Sequence, residues 1–251
     1  MDDIIGQDLS GTRFENVGLR GTWFHNVDLE GAVLRGAWMK DVEIDAYVED
    51  VRINGVDVAP LIEAELDRRD PERALMRPID ADGFRAAWVV VERRWAETVE
   101  RARALPEELL HERVDREWSF IETLRHLVMA TDSWVLRAVL GLARPHHPLG
   151  LPHTEMEPVD GVPADHAARP GLDEILAVRA DRMAVVRRVL RDLTDEQLAG
   201  MTEPVLTPGY PASESFAVRR CLGAILNEEW EHRRFAERDL AVLESRHALR
   251  H

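Results

Sequence analysis

Glu228 and His232 stand four residues apart in the stretch NEEWEHRRFAERDL, residues 227–240. On a helix that spacing puts a carboxylate and an imidazole on one face, a turn apart. Ile225, Phe235 and Ala236 hold neighbouring helical positions, and Cys221 and Ala224 carry an apolar stripe one to two turns back. The pair therefore falls on the face expected to be buried. A buried charge is costly unless it is paired or bound to a metal. An ion pair on a solvated face produces the same spacing, and for these two residues alone it is the plainer reading.

A metal site needs a third donor from a second helix. His126 is the best-placed histidine, about two turns into a helix expected to start near residue 120. Periodicity does not aim it inward, because Ser119, Glu122, Ser133 and Arg137 share its side. His126, Glu228 and His232 together make a three-ligand N/O set with a fourth position open, which describes a catalytic zinc site better than a structural one. Nickel, iron and manganese accept the same donors.

Other reactive residues have simpler explanations. Glu122 can act as a base, but Ser119-x-x-Glu122 has the form of a helix capping box. Cys221 is a nucleophile by type, yet single buried cysteines usually pack as small apolar groups. His146, His147, His153 and His166 lie in one long loop, where surface histidines are the default and a cover over the site is the alternative. Trp118 and Trp230 are expected to pack rather than to wall a substrate.

The elements that must position these residues are helical from residue 80 onward. Phe84, Trp88, Val91, Trp95, Val99 and Ala102 form one stripe. A second helix runs from about 120 to 141, ended by Gly141 and Pro145. A third carries Leu172, Ile175, Leu176, Met183, Val186 and Leu190, and a fourth runs from about Ser215 to Leu243. Four amphipathic helices of this length predict a four-helix bundle. Its two long connections, 142–170 and 194–214, exceed the usual loop length, as lids and binding loops do.

The first segment has a different period. Leu9, Phe14, Leu19, Phe24, Leu29, Leu34, Met39 and Ile44 recur every fifth residue. Two places before each stands a mostly small or β-branched residue, from Gln7 and Thr12 to Val42. Five fits neither helix nor flat strand. It suits a solenoid with one short side per repeat, about two coils long, the large residues forming an inward core of their own; a stack that short buries little alone and should lean on the rest of the chain. Between this segment and the bundle, Asn54-Gly55 signals a tight turn, Pro60 starts a helix over 60–68, and Asp70-Pro71 and Arg77-Pro78 break the chain. The expected division is 1–55 repeats, 56–80 connector and 81–251 bundle.

Composition bounds the function. The chain of 251 residues is 45% hydrophobic, enough for a core. A formal net charge of -15 argues against nucleic acid as a partner. No run of about 18 apolar residues predicts a membrane span, and the acidic start MDDIIGQDLS is unlike a signal peptide. One cysteine allows no internal disulfide and fits a cytoplasmic protein. The expected partners are a small-molecule substrate and, as a homodimer, a second copy.

Two resemblances follow from these residues. The period-five segment, roughly residues 5–48, resembles the pentapeptide-repeat family, which implies a four-sided right-handed β-helix; Gln7 and Val17 depart from the family's usual Ala or Cys. Residues 80–245 resemble the DinB-like superfamily, including mycothiol-dependent maleylpyruvate isomerases and bacillithiol transferases. The match rests on Trp118-Ser119, Glu122, His126-Leu127 and Glu228-x-x-x-His232. The implied fold class is α+β, a DinB-like four-helix bundle preceded by a short β-helix. The implied ligands of one divalent metal, commonly zinc, are His126, Glu228 and His232, the His/Glu/His set of the isomerase branch.

Three functions are consistent with this reading. The first is thiol transfer or isomerisation, with mycothiol as the thiol and its thiolate held at the metal. The second is metal-dependent hydrolysis through an activated water. The third is a non-catalytic interaction scaffold.

Overall fold

The computed structural model describes residues 3–153 and 156–249. Backbone contacts divide the chain into two units, Met1–Val48 and Glu49–His251.

In the first unit the sequence period reappears as turns. Thr12, Thr22 and Ala32 each donate a backbone N–H to the carbonyl three residues earlier, at 3.0, 3.3 and 3.0 Å. Gly11, Gly21 and Gly31 take the left-handed conformation these turns need. The expected β-helix with an inward core is not what the described residues form. No strand is present among residues 3–48, and the large apolar side chains are exposed, from 41% at Leu9 to 91% at Tyr47. About two coils of repeat leave no interior repeat, so a large side chain lacks a neighbour on at least one side.

The second unit opens with the only sheet among the described residues, the hairpin β1 (Arg52–Ile53) and β2 (Val56–Asp57). Arg52 faces Asp57 and Ile53 faces Val56, and Asn54 and Gly55 both take positive φ, as a two-residue hairpin turn requires. Helix α1 (Ala59–Arg69) follows, with Pro60 in its first turn. A 3-10 turn over Pro71–Met76 then brings Glu72 to Arg93 and Arg94 of the next helix, at 2.5 and 2.7 Å.

The four expected helices are α2 (Ala81–Arg103), α3 (Phe120–Thr131), α4 (Leu172–Asp192) and α6 (Val218–Ala248), with a single turn α5 (Asp195–Leu198) between the last two. Asp80 caps α2 through the Gly83 amide, and Ser119 with Glu122 forms the reciprocal box that starts α3. The stripe of α2 is buried at Phe84, Trp88, Val91, Trp95 and Ala102. Helix α3 packs on α4 and α6, as does α2. After Thr131, α3 continues as a π-helix over Asp132–Val139, and Leu140 donates to the carbonyl five residues back.

Buried charge ties the bundle together. Arg179 of α4 makes a two-pronged pair with Glu229 of α6, at 3.0 and 2.9 Å, and the two side chains are only 3% and 1% exposed. Trp95 donates its indole N–H to the Glu229 carbonyl, and the Arg179 guanidinium lies 5.0 Å above the Trp95 ring. The long connections are held by two buried arginines of the α3 segment. Arg125 donates to the carbonyls of Leu149, Asp165 and Ala168 in the first. Arg137 donates to Ala143 in the first and to Val205, Thr207 and Pro211 in the second. Gly209 is required beside that clamp, because a Cβ there would stand 2.8 Å from the Arg137 guanidinium carbon.

Candidate metal centre

The adjacency of α3 and α6 brings three donors together. His126, Glu228 and His232 each offer a ligand atom, and these atoms lie within 4.8 Å of one another. Among the described residues no other group of three or more His, Cys, Asp and Glu side chains is so placed. Glu228 Oε2 stands 3.2 Å from His126 Nε2 and 3.0 Å from His232 Nε2. His126 is buried, and Glu228 and His232 are half-buried at the edge of the α6 stripe.

His126 points inward although its helical side seemed polar. Apart from Glu122, every residue of α3 is buried, because the connection pinned by Arg125 covers the face turned away from the bundle. Amphipathic periodicity carries no direction on a helix covered all round. The same connection fixes the ring. Leu151, fully buried, presents its carbonyl oxygen 3.0 Å from His126 Nδ1. An Nδ1–H donated there leaves Nε2 facing Glu228.

Burial alone would raise the Glu228 carboxyl. The hydrogen bonds to His126 and His232, with their charge, outweigh it and hold the group far below the usual carboxylate range. The ionised Glu228 is an acceptor only. His126 is thus flanked by acceptors at both ring nitrogens, a carbonyl and a carboxylate. It satisfies both only with a second proton or with a cation in place of the Nε2 proton. Zinc ligands about 2.0–2.1 Å from a tetrahedral ion stand roughly 3.3 Å apart; the two separations from Glu228 are 3.0 and 3.2 Å, and all three donor atoms lie within 4.8 Å. The donor set therefore fits a divalent ion.

Trp118 packs against the two histidine donors. Its ring lies 5.7 Å from His232 in a stacked arrangement and 4.5 Å from His126. Phe235 meets His232 edge-on at 6.0 Å. Trp230 is a packing residue, 2% exposed with Arg233 over its ring. Tyr210, on the connection pinned by Arg137, has its phenol pushed up by burial and by the charge of Glu228.

The remaining candidates stand apart from the three donors. Glu122 is engaged in its cap and in a bidentate pair with Arg113, at 2.9 and 2.6 Å. Cys221 is fully buried with Ala138 and Phe216, and burial pushes its thiol up to about 11. Of the loop histidines, His146 bonds Ser133 at 3.1 Å, and the His147 backbone N–H donates to Asp132. His153 and His166 are exposed. Sequence reasoning missed Glu229, Arg125 and Arg137. Nothing in the local pattern separates them from the many exposed Glu and Arg residues of this chain.

A family model of the DinB superfamily matches residues 91–236, a span holding all three donors and the whole of α3 and α4. The chain belongs to the DinB superfamily. No curated protein and no solved structure matches it significantly. No helix among the described residues is long and apolar enough to cross a membrane.

Proposed function

We propose that this chain is a metal-dependent enzyme in which His126, Glu228 and His232 hold one divalent ion, zinc by preference. Its reaction is thiol-dependent transfer or isomerisation on a small-molecule electrophile, with mycothiol as the thiol. The observation that carries the metal is the His126 ring, flanked by Leu151 O and Glu228 Oε2. A bound divalent ion supplies a Lewis-acid position at which a thiol loses its proton near neutral pH.

The chain's own residues do the rest. Leu151 O holds the His126 ring, and Glu228 contributes the only negative charge of the donor set. Trp118 lies against both imidazoles and Phe235 against that of His232, which holds the rings in place. Cys221 cannot serve as the nucleophile, because it is fully buried and its thiol is held protonated. A thiol-dependent reaction would therefore take its thiol from a cofactor.

The test is consumption of an electrophilic bimane-type probe by metal-loaded protein with and without mycothiol. Acceleration that needs the thiol and disappears in His126→Ala supports the reading. Turnover of an ester or amide without thiol points instead to a hydrolase, and inertness in both assays to a scaffold.

A further inference from the structure

Trp118 reaches the two imidazoles from a loop, residues 113–119, that is closed on a single carboxylate. Glu122 pairs with the Arg113 guanidinium at 2.9 and 2.6 Å, and its Oε2 also accepts the Ser119 backbone N–H at 2.9 Å. Both ends of the loop are therefore tied to the first turn of α3. Val114, 2% exposed, roots it in the core.

The tip of the loop is a tight turn in which the Glu117 N–H is donated to the Val114 carbonyl at 2.9 Å. Its two central residues, Asp115 and Arg116, both take the left-handed conformation, with φ of 50° and 69°. Two such residues in succession mark a mirror-image turn, which ordinarily carries Asn-Gly or Gly-Gly. An arginine is strained there, and strain of this kind persists only where the surroundings enforce it. The side chain that leaves this turn toward the donors is Trp118.

His232 is the donor that needs such support. A metal-bound histidine ordinarily has its second ring nitrogen hydrogen-bonded, which fixes the direction of the ring. His126 has the Leu151 carbonyl at Nδ1. His232 meets Glu228 through Nε2, and no acceptor stands at its Nδ1 among the described residues. Its orientation rests on ring contacts instead. Trp118 is stacked on it at 5.7 Å with the planes 21° apart, and Phe235 meets it edge-on at 6.0 Å. Phe235 lies three residues on in the same helix, so the stacked face comes from Trp118 alone.

We infer that Trp118 is the positioning residue of His232, its stacked ring doing for this donor what the Leu151 carbonyl does for His126, with the loop tied by Glu122 aiming it. The inference rests on the metal reading above. It gives Glu122, which stands apart from the donors, a part in the site through Trp118.

Cobalt(II) titration of the full-length protein, followed by its visible bands and by competition with a chelator, tests this. Trp118→Leu keeps an apolar side chain and removes the ring, whereas Trp118→Phe keeps a ring. The Leu variant should bind cobalt about tenfold or more weakly, with altered bands and unchanged helical signal, and the Phe variant should recover most of the affinity. A packing role alone would not separate the two. Arg113→Gln frees one end of the loop and leaves the cap and the donors in place, so it should weaken binding in the same direction; unchanged affinity there would detach Glu122 from this role. Wild-type affinity in Trp118→Leu, or an equal loss in the Leu and Phe variants, overturns the inference and leaves the donor set standing. A wild type that takes up no cobalt removes the metal centre and the inference with it.

Discussion

His126 of α3 and Glu228 of α6 meet across the bundle with Nε2 and Oε2 3.2 Å apart, while the opposite nitrogen of the same ring faces the Leu151 carbonyl at 3.0 Å. One imidazole thus joins two helices and the long connection between α3 and α4. The donor triad and the loop that covers it are parts of one hydrogen-bonded unit, so disturbing either is felt at the other.

The Arg179–Glu229 pair is the most deeply buried ion pair near that unit. Removing one partner leaves an uncompensated charge in the core, which costs about 3–5 kcal/mol. Arg179→Met should lower the denaturation midpoint accordingly. Arg179→Met combined with Glu229→Leu should recover much of the loss, because the stranded charge goes with it. A double variant as unstable as the single one would contradict this.

His146 sets a pH dependence. Burial pushes its imidazole down to about 4, with the Arg137 charge adding to the effect and the Tyr210 backbone opposing it. The unfolded chain binds that proton from about pH 6.5 downward, and the folded chain does not until about 4. Stability from this group is therefore full above pH 6.5 and is lost progressively between 6.5 and 4. Denaturation curves for His146→Gln should show a shallower slope than wild type across that window. An unchanged slope would contradict the assignment.

The two units predict separable behaviour. All core residues of the bundle lie between Ala81 and Leu243, and no donor lies before His126. A chain beginning at Glu49 should keep its helical signal and bind metal as the full chain does. It should also be more soluble, since the first unit exposes many large apolar side chains, among them Trp23, Trp38 and Tyr47. Loss of metal at full helical content would show that the repeats help to build the site.

Helix number, the capping box at Ser119 and the spacing of Glu228 and His232 were legible because each is a local pattern. The inward aim of His126 was not, since the cover that removes α3's polar face comes from a connection with no periodicity of its own. Glu229 stayed invisible beside Glu228: two adjacent carboxylates point to different neighbours, and only the packing of α4 on the same core decides which one meets Arg179. Trp118 precedes the first residue of α3, where helical spacing assigns no face. The five-residue period was plain, but a period fixes where turns fall and not whether the coils bury anything.

The central claim is that His126, Glu228 and His232 hold one divalent ion. Metal analysis by mass spectrometry on purified full-length protein and on His232→Ala tests it most directly. About one equivalent of metal in the wild type, falling well below half in the variant at unchanged helical content, is the predicted result. A full equivalent retained by His232→Ala would contradict the account.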